Sequence, residues 1–544
     1  MEKTVNFAGH QITVKKQSAP PLSKEEVRQM LNAFESYRRA KEKTDRTVIE
    51  NENWFKGDHW KYIIGEDKSS FAHRPAGSYL LNGIWHRHAE AMDNYPQPLI
   101  LEREEGDRQK AQELSKVLPL VLEKSGFQSV YSDIWWYKLK QGSGIYGVFW
   151  DNSLENGLGD VSIKKIDLLR FYSQPYIEDI QDSKYIFVIS LCDLEEARRR
   201  YPDADLKDSG GEMSLKSYFG TQDLKGRVCI IDCYEKVQNQ NGRTVVHLTK
   251  LIGDKAVYST KTDENLCDRG IYDHGMYPFV IDRFIPVEGS PFGMGMIDVG
   301  KNAQAQIDKL EYLIERNALI SSRPRFLIKR DGGIDPEKLS DLSVDFIECD
   351  RNVDDSSVRP LQAAPLPSTV LTCRENKISE LKEIIGNRDF SQGDTARGVT
   401  AYAAISALQQ AGSKLTRDAI TTSYRAFSDV IYMVIELISQ FYTEKRSFRI
   451  IGDNGKVSYL AVKSNGGEDF SAAVFDIEVS AQKKNMFDAL SHNEFVLELF
   501  KNGAFNKENS SAAIAAVNAM VIDNKQSIIS SIKEAEREND NAGK

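Results

Sequence analysis

The chain has 544 residues, 41% hydrophobic and 10% aromatic, a balance that suits two or three packed cores and excludes disordered and fibrous classes. A formal charge of -9 and a pI near 5.6 exclude wholesale gripping of nucleic acid, because that mode needs an excess of Lys and Arg on the contacting face. Six cysteines without framework spacing fit thiols in a reducing compartment. No signal peptide opens the chain and no apolar run approaches the roughly 18 residues that span a bilayer, so it is expected to stay in cytosol or travel with an assembly.

Residues 1–22 alternate weakly through Val5, Phe7, Ile12 and Val14 and end in Pro20 and Pro21, which predicts an arm with a hairpin. Ser23 and Glu26 make a capping box, and the helix they open, carrying Val27, Met30, Leu31 and Phe34, is expected to reach about Asn53. Trp54, Phe55, His59, Trp60 and Tyr62 cluster beyond its end and read as core anchors. A helix is predicted over 80–95. Its His86 and His88, two apart, point to different sides and make a poor metal pair. Further helices are expected over about 107–125 and through Val130, Ile134, Trp135 and Leu139.

Gly142-Ser-Gly-Ile-Tyr-Gly147 matches the dinucleotide-binding pattern by letter. That chemistry needs a strand before the glycines and a helix N-terminus after them. Here the helix comes first and the strand (Val148, Phe149, Trp150) second, so the reading is a tight turn into a sheet. Strands are predicted over 161–166, 185–191, 228–237, 245–252 and 279–284, with a short helix at 193–201 and a polar linker at 206–220. Cys229 and Cys233 alternate onto one strand face, with His247 on a candidate neighbour. Lacking a fourth ligand, they read as buried thiols.

The stretch from Gly289 to Phe441 organises the rest. After a glycine-broken start, a helix over about 297–321 carries Ile307, Leu310, Ile314 and Asn317 on one face. The insert Arg323 to Leu366 holds a strand-like run at Phe326 to Ile328 and turn residues at Gly332 and Gly333. Helix resumes at Ser368 with Leu371, Ile378, Leu381 and Ile385, predicting an antiparallel stalk capped by the insert. A polar loop, Arg388 to Gly398, leads to a helix over 399–442 of about 44 residues, or roughly 66 Å. Its second half carries the stripe Ile420, Tyr424, Phe427, Ile431, Val434, Ile438 and Phe441. A β segment over 448–475 and a helical tail from about Ala481, with Phe487, Leu490, Phe495 and Leu499 on one face, complete the chain.

No catalytic constellation has adequate spacing. Gly455-Lys456 lacks the earlier glycine and the following Ser or Thr of a phosphate-cradling loop, and no nucleophile elbow, paired-His helix or Cys/His dyad stands out. Asp350, Asp354 and Asp355 lack the ligand alternation and terminal Glu of a calcium loop and read as a solvated edge. No enzyme activity, cofactor or metal is expected.

Several segments together resemble the portal proteins of tailed double-stranded DNA bacteriophages: Trp54-Phe-Lys-Gly-Asp-His-Trp60, Gly142 to Asp151, Phe171 to Tyr185 with Pro175, Asp179 and Asp182, Gly289-Ser-Pro-Phe-Gly-Met-Gly295, and Gly398-Val-Thr-Ala-Tyr402 to Arg417. The resemblance, from about residue 23 to 535, implies an α+β portal fold: a wing (1–288, with an arm at 1–22), stem helices (289–321 and 368–387), a clip (322–367), a tunnel loop (388–398), a long wing helix (399–444), a wing sheet return (445–480) and a crown (481–544). It further implies a ring, typically about twelve subunits, at one capsid vertex of the virion, assembled in host cytoplasm, through which double-stranded DNA is packaged and ejected. Implied partners are the terminase large subunit, a head-completion or tail adaptor, and the major capsid and scaffolding proteins, with no membrane. On that reading Arg388 and Arg397 touch phosphates, with Ser391, Gln392 and Thr395 as neutral donors. Arg323, Arg325, Lys329 and Arg330 dock partners, and Ile307, Leu310, Ile314, Leu371, Ile378, Leu381 and Ile385 pack the stem. The competing readings are a non-phage structural or adaptor oligomer built on a helical hairpin, and a nucleic-acid-processing enzyme.

Overall fold

The structure, a computed structural model, describes residues 3–7, 10–14, 22–64, 74–202, 216–218, 226–239, 242–322, 325–328, 358–361, 365–386, 414–444, 446–451, 457–462, 475–481, 486–501, 510–520, 528–529 and 531–532. It mixes helices and strands, as the expected α+β class requires. Strands β1 (Lys3–Phe7) and β2 (His10–Val14) form the predicted N-terminal hairpin, with Lys3 opposite Val14. Helix α1 (Lys24–Phe55) starts on the Ser23 box: Ser23 Oγ accepts from the Glu26 amide at 3.2 Å, and Glu26 Oε2 accepts from the Ser23 amide at 3.1 Å. Then come α2 (Trp60–Ile64), α3 (Tyr79–Asp93), β3 (Pro96–Glu102), α4 (Arg108–Lys124), α5 (Phe127–Gln141), β4 (Ser143–Asp151), β5 (Asp160–Ile166), β6 (Phe171–Ser173), β7 (Tyr185–Asp193) and α6 (Leu194–Arg200). Strands β8 (Arg227–Gln238), β9 (Thr244–Ile252), β10 (Lys255–Ser259), β11 (Phe279–Arg283), β12 (Ile285–Val287) and β13 (Ser290–Met294) precede α7 (Met296–Ser322). The chain continues through β14 (Arg325–Ile328), β15 (Val358–Leu361), α8 (Ser368–Ile384), α9 (Lys414–Phe441), β16 (Arg446–Ile451), β17 (Val457–Val462), β18 (Phe475–Ala481), α10 (Met486–Lys501) and α11 (Ser510–Ala519). Among the described residues no helix is long and apolar enough to cross a membrane.

The chain divides into two compact units. The first holds Met1–Glu52, Ile84–Gly295 and Ser413–Lys544; the second holds Asn53–Gly83 and Met296–Gly412.

A five-stranded antiparallel sheet, ordered β10-β9-β8-β7-β6, centres the first unit. Because strand side chains alternate, β8 sends Cys229, Ile231 and Cys233 to one face, where they pack with Tyr172, Phe187 and Leu251 under Val27, Met30, Phe34 and Tyr37 of α1. The opposite face, including Ile186, Tyr234, Val246 and Leu248, packs with Ile145, Phe171, Tyr277 and Phe279 near a second sheet ordered β11-β4-β5. Cys229 and Cys233 are buried as expected, and burial pushes the Cys229 thiol up to about 11. His247 does sit on the neighbouring strand, but opposite Glu235, and its Nδ1 lies 3.1 Å from Thr260 Oγ1.

The glycines of the dinucleotide look-alike have packing duties. Gly142 ends α5 at φ 82°, its amide donating to the Lys138 carbonyl at 3.0 Å. A Cβ on Gly142 would sit 2.3 Å from the Gly293 carbonyl oxygen, and one on Gly295 would sit 2.5 Å from the Lys140 carbonyl oxygen. Two main chains therefore touch with no side chain between them. The stretch read as a glycine-broken start is strand β13, hairpinned with β12.

Helix α9 starts at Lys414 among the described residues, and 399–413 lie outside them. Of its expected stripe, Ile420, Phe427, Ile431, Val434 and Ile438 are buried, with Phe427 against Phe127 of α5 at a 5.3 Å centroid distance. A charge network in the same core was not anticipated. Lys138 Nζ of α5 donates to Asp282 Oδ1 (2.7 Å), the Ala419 carbonyl (2.9 Å) and Ser423 Oγ (2.8 Å), and Ser423 donates to Asp282 Oδ2. All three ammonium protons have acceptors, which offsets part of the cost of burying a charged group.

Burial holds three histidines of this unit below their ordinary value: His88, His247 and His274, the last pushed down to about 4. At His274 the nearby Asp273 opposes that shift and Lys236 adds to it. In the unfolded chain His274 titrates near 6.5, so between pH 6.5 and 4 the unfolded state binds the extra proton. Stability is therefore full above pH 6.5 and falls as the pH drops, by about 2 kcal/mol from His274 alone at pH 5. Urea melts at pH 7.5 and pH 5 should show this loss, and His274→Asn should shrink it. An equal loss in the variant would assign the acid sensitivity elsewhere.

Candidate functional site

The second unit is built on the pair α7 and α8. Their contacts run in opposite order along the two helices: Gly300 lies against Leu381 and Ile385, Glu311 pairs with Arg374, and Ile314 lines one groove with Leu371. The helices are antiparallel, as the two stripes predict. Glycine makes the lower contact close. A Cβ on Gly300 would fall 2.5 Å from Leu80 Cδ2, and one on Gly83 would fall 2.4 Å from Ile385 Cδ1. Ile307, Leu381 and Ile385 are buried there. Gly386, at φ 67°, ends the α8 turn.

Residues 54–64 and 74–79 form a collar against this hairpin, and its key is Asp308 of α7. Asp308 Oδ2 lies 2.6 Å from His59 Nδ1, while Oδ1 accepts from the Gly77 amide at 2.9 Å and from Gln304 Nε2 at 2.8 Å. His59 Nε2 lies 2.9 Å from the Trp54 carbonyl, and the Trp54 indole stacks on the imidazole at 4.5 Å. One turn on, Glu311 Oε1 accepts from Arg374 Nη2 at 3.0 Å and from the Tyr79 hydroxyl at 3.4 Å. Burial, then the Glu311 charge, raises the Tyr79 pKa. The Arg74 guanidinium sits over both Trp60 (5.1 Å) and Tyr312 (4.9 Å), and Trp60 Nε1 donates to the Pro75 carbonyl at 2.7 Å. The aromatic cluster thus does anchor a core, held by buried hydrogen bonds to Asp308 and by the Arg74 cation as well as by rings.

Farther along, the hairpin loses its cover. Leu310, Ile314 and Ile378 are half-buried, while Leu371, which the stripe pattern assigns to packing, is 45% exposed, with Leu313 at 49% and Leu319 at 56%. A groove of about 380 Å³ opens between the helices, lined by Pro75, Glu311, Ile314, Glu315, Leu371 and Arg374. At the insert, β14 and β15 pair antiparallel, which places Arg325 opposite Leu361. Arg323, Lys329 and Arg330 lie outside the described residues, as do Asp350, Asp354 and Asp355 and the whole loop set Arg388, Ser391, Gln392, Thr395 and Arg397. Among the described residues no group of three or more His, Cys, Asp or Glu is placed to hold a metal ion. This arrangement can fix a helical hairpin rigidly at one end and present apolar surface at the other.

Sequence reasoning missed Asp308 as a partner for His59 because they stand 249 positions apart. A signal was present: Gln304, Asp308 and Glu311 follow helical spacing beside Ile307, and polar residues near an apolar stripe ask for buried partners.

No curated protein matches the chain. A family model described as phage P22-like portal protein matches residues 89–266 and 342–541, which take in the first unit's sheet, α8 and α9. With that match extending over most of its length, the chain belongs to the P22-like portal proteins of bacteriophages.

Proposed function

We propose that this portal protein forms a ring-shaped channel at one capsid vertex, through which double-stranded DNA is packaged and later ejected, with the terminase motor and then a head-completion or tail adaptor docking on its clip. The observation that carries the reading is the exposure of Leu313, Leu319 and Leu371 on the hairpin, apolar side chains that a neighbouring copy would cover. Hairpins repeated side by side bury it. Membership in a portal family supports the capsid-vertex setting. The chain's acidity supports the channel: DNA carries one charge per roughly 1.7 Å, and a wall dense in Lys and Arg would hold it by counterion release. Arg388 and Arg397, with Ser391, Gln392 and Thr395, are the proposed sparse contacts of a loop that centres the duplex. Arg323, Arg325, Lys329 and Arg330 are the proposed docking charges.

Native mass measurement and negative-stain imaging of the purified chain should give rings of about twelve copies. A stable monomer would end the channel reading. Deleting residues 391–396 should leave rings intact and impair packaging or retention of DNA, and unchanged packaging would remove the loop from the mechanism. Charge reversal at the four docking residues should weaken adaptor binding while rings persist.

A further inference from the structure

We propose that the hairpin carries two complementary faces, a basic stripe and an acidic groove, that join it head to tail to a second copy of this chain. The proposal rests on the ring reading and names its contact. Lys309, Leu313, Arg316 and Ile320 of α7 are spaced four, three and four apart, so they form one line along the helix. All four are exposed, and Lys309 and Arg316 hold no ion pair among the described residues. At 3.6 residues per turn this line lies roughly 180° from the face, near Gly300, Ile307 and Glu311, that α7 turns toward α8 and the collar. On that other side lies the groove. Its apolar members Ile314 and Leu371 suit Leu313 and Ile320. Arg374 already answers Glu311, which leaves Glu315, exposed and without an ion partner among the described residues, to meet Arg316 or Lys309.

Charge complementarity selects the occupant. Two copies meeting through the same face would set Arg316 against Arg316 or Glu315 against Glu315, whereas stripe into groove pairs opposite charges around matched apolar residues. The contacting faces then differ and lie on opposite sides of the hairpin, the geometry of a heterologous interface that repeats until it closes.

Two charge reversals test this. A Glu315→Lys chain has two basic faces and an Arg316→Glu chain places an unpaired carboxylate on both faces, opposite Glu315 of the next copy, so each alone should need at least about tenfold more protein to assemble at low salt. An equimolar mixture should recover wild-type assembly, because each groove now finds its opposite on the other variant. Unchanged melting temperatures check that these exposed substitutions leave the fold intact. Single variants that assemble like wild type, or a mixture that stays apart, would overturn the proposal while wild-type rings leave the channel reading standing; the faces would then belong to a different partner. Wild-type chains that never assemble would sink the ring reading and this contact with it.

Discussion

Asp282→Ala should destabilise the first unit by about 3–5 kcal/mol, the range for removing one member of a buried ion pair. Asp282 and Lys138 are both fully buried, and the lysine ammonium also faces the Ala419 carbonyl and Ser423 hydroxyl. Burial lowers the Lys138 pKa and the Asp282 charge opposes that shift. Without the carboxylate the variant must strand a cation in the core or neutralise it, and both are costly. The triple change Lys138→Met, Asp282→Leu and Ser423→Ala removes every charge at similar volume and should come much closer to wild type. Urea unfolding followed by far-ultraviolet circular dichroism measures the loss. A loss below about 1 kcal/mol for Asp282→Ala would mean that the network does not fasten α9 to this core.

A second large effect is expected in the collar. Asp308→Ala removes the acceptor for the Gly77 amide, Gln304 Nε2 and His59 Nδ1 together, and should cost about 3–5 kcal/mol within the second unit. Hydrogen exchange at the Gly77 amide reports this directly. Protection should fall sharply in Asp308→Ala and return in part in Asp308→Asn, which keeps a side-chain carbonyl acceptor. Gly77 protection unchanged in the alanine variant would assign the anchoring to the Trp60, Arg74 and Tyr312 contacts instead.

Elements whose signals are local were legible in the sequence. The capping box at Ser23 and Glu26, the helices Met296–Ser322 and Ser368–Ile384 and the three long strands Tyr185–Asp193, Arg227–Gln238 and Thr244–Ile252 of the five-stranded sheet each carry their own periodicity, so their limits fall within a few residues of expectation, whereas its outer strands Phe171–Ser173 and Lys255–Ser259 did not stand out. Strands made by distant partners were not. β3 holds Pro96 and Pro98, poor strand residues; it forms because β18 pairs along it, Ala481 opposite Pro96, while Ser115 bonds both the amide and the carbonyl of Ile100. β13 was hidden by its glycines, whose reason is a backbone contact with Gly142 that no pattern in 289–295 encodes. The candidate site divides the same way. Its apolar members follow helical spacing, but the His59–Asp308 anchor and the Glu311–Arg374 pair arise only once the hairpin folds back.

The alternation that turns Cys229 and Cys233 toward α1 gives the molecule its own clock. Cys267 and Cys373 are exposed and open to a thiol reagent at once, whereas the two sheet thiols are shielded by Phe34 and its neighbours and held protonated by burial. They can react only in the fraction of time that α1 stands away from the sheet. The slow phase of alkylation therefore measures how often the seam between this helix and the sheet comes undone.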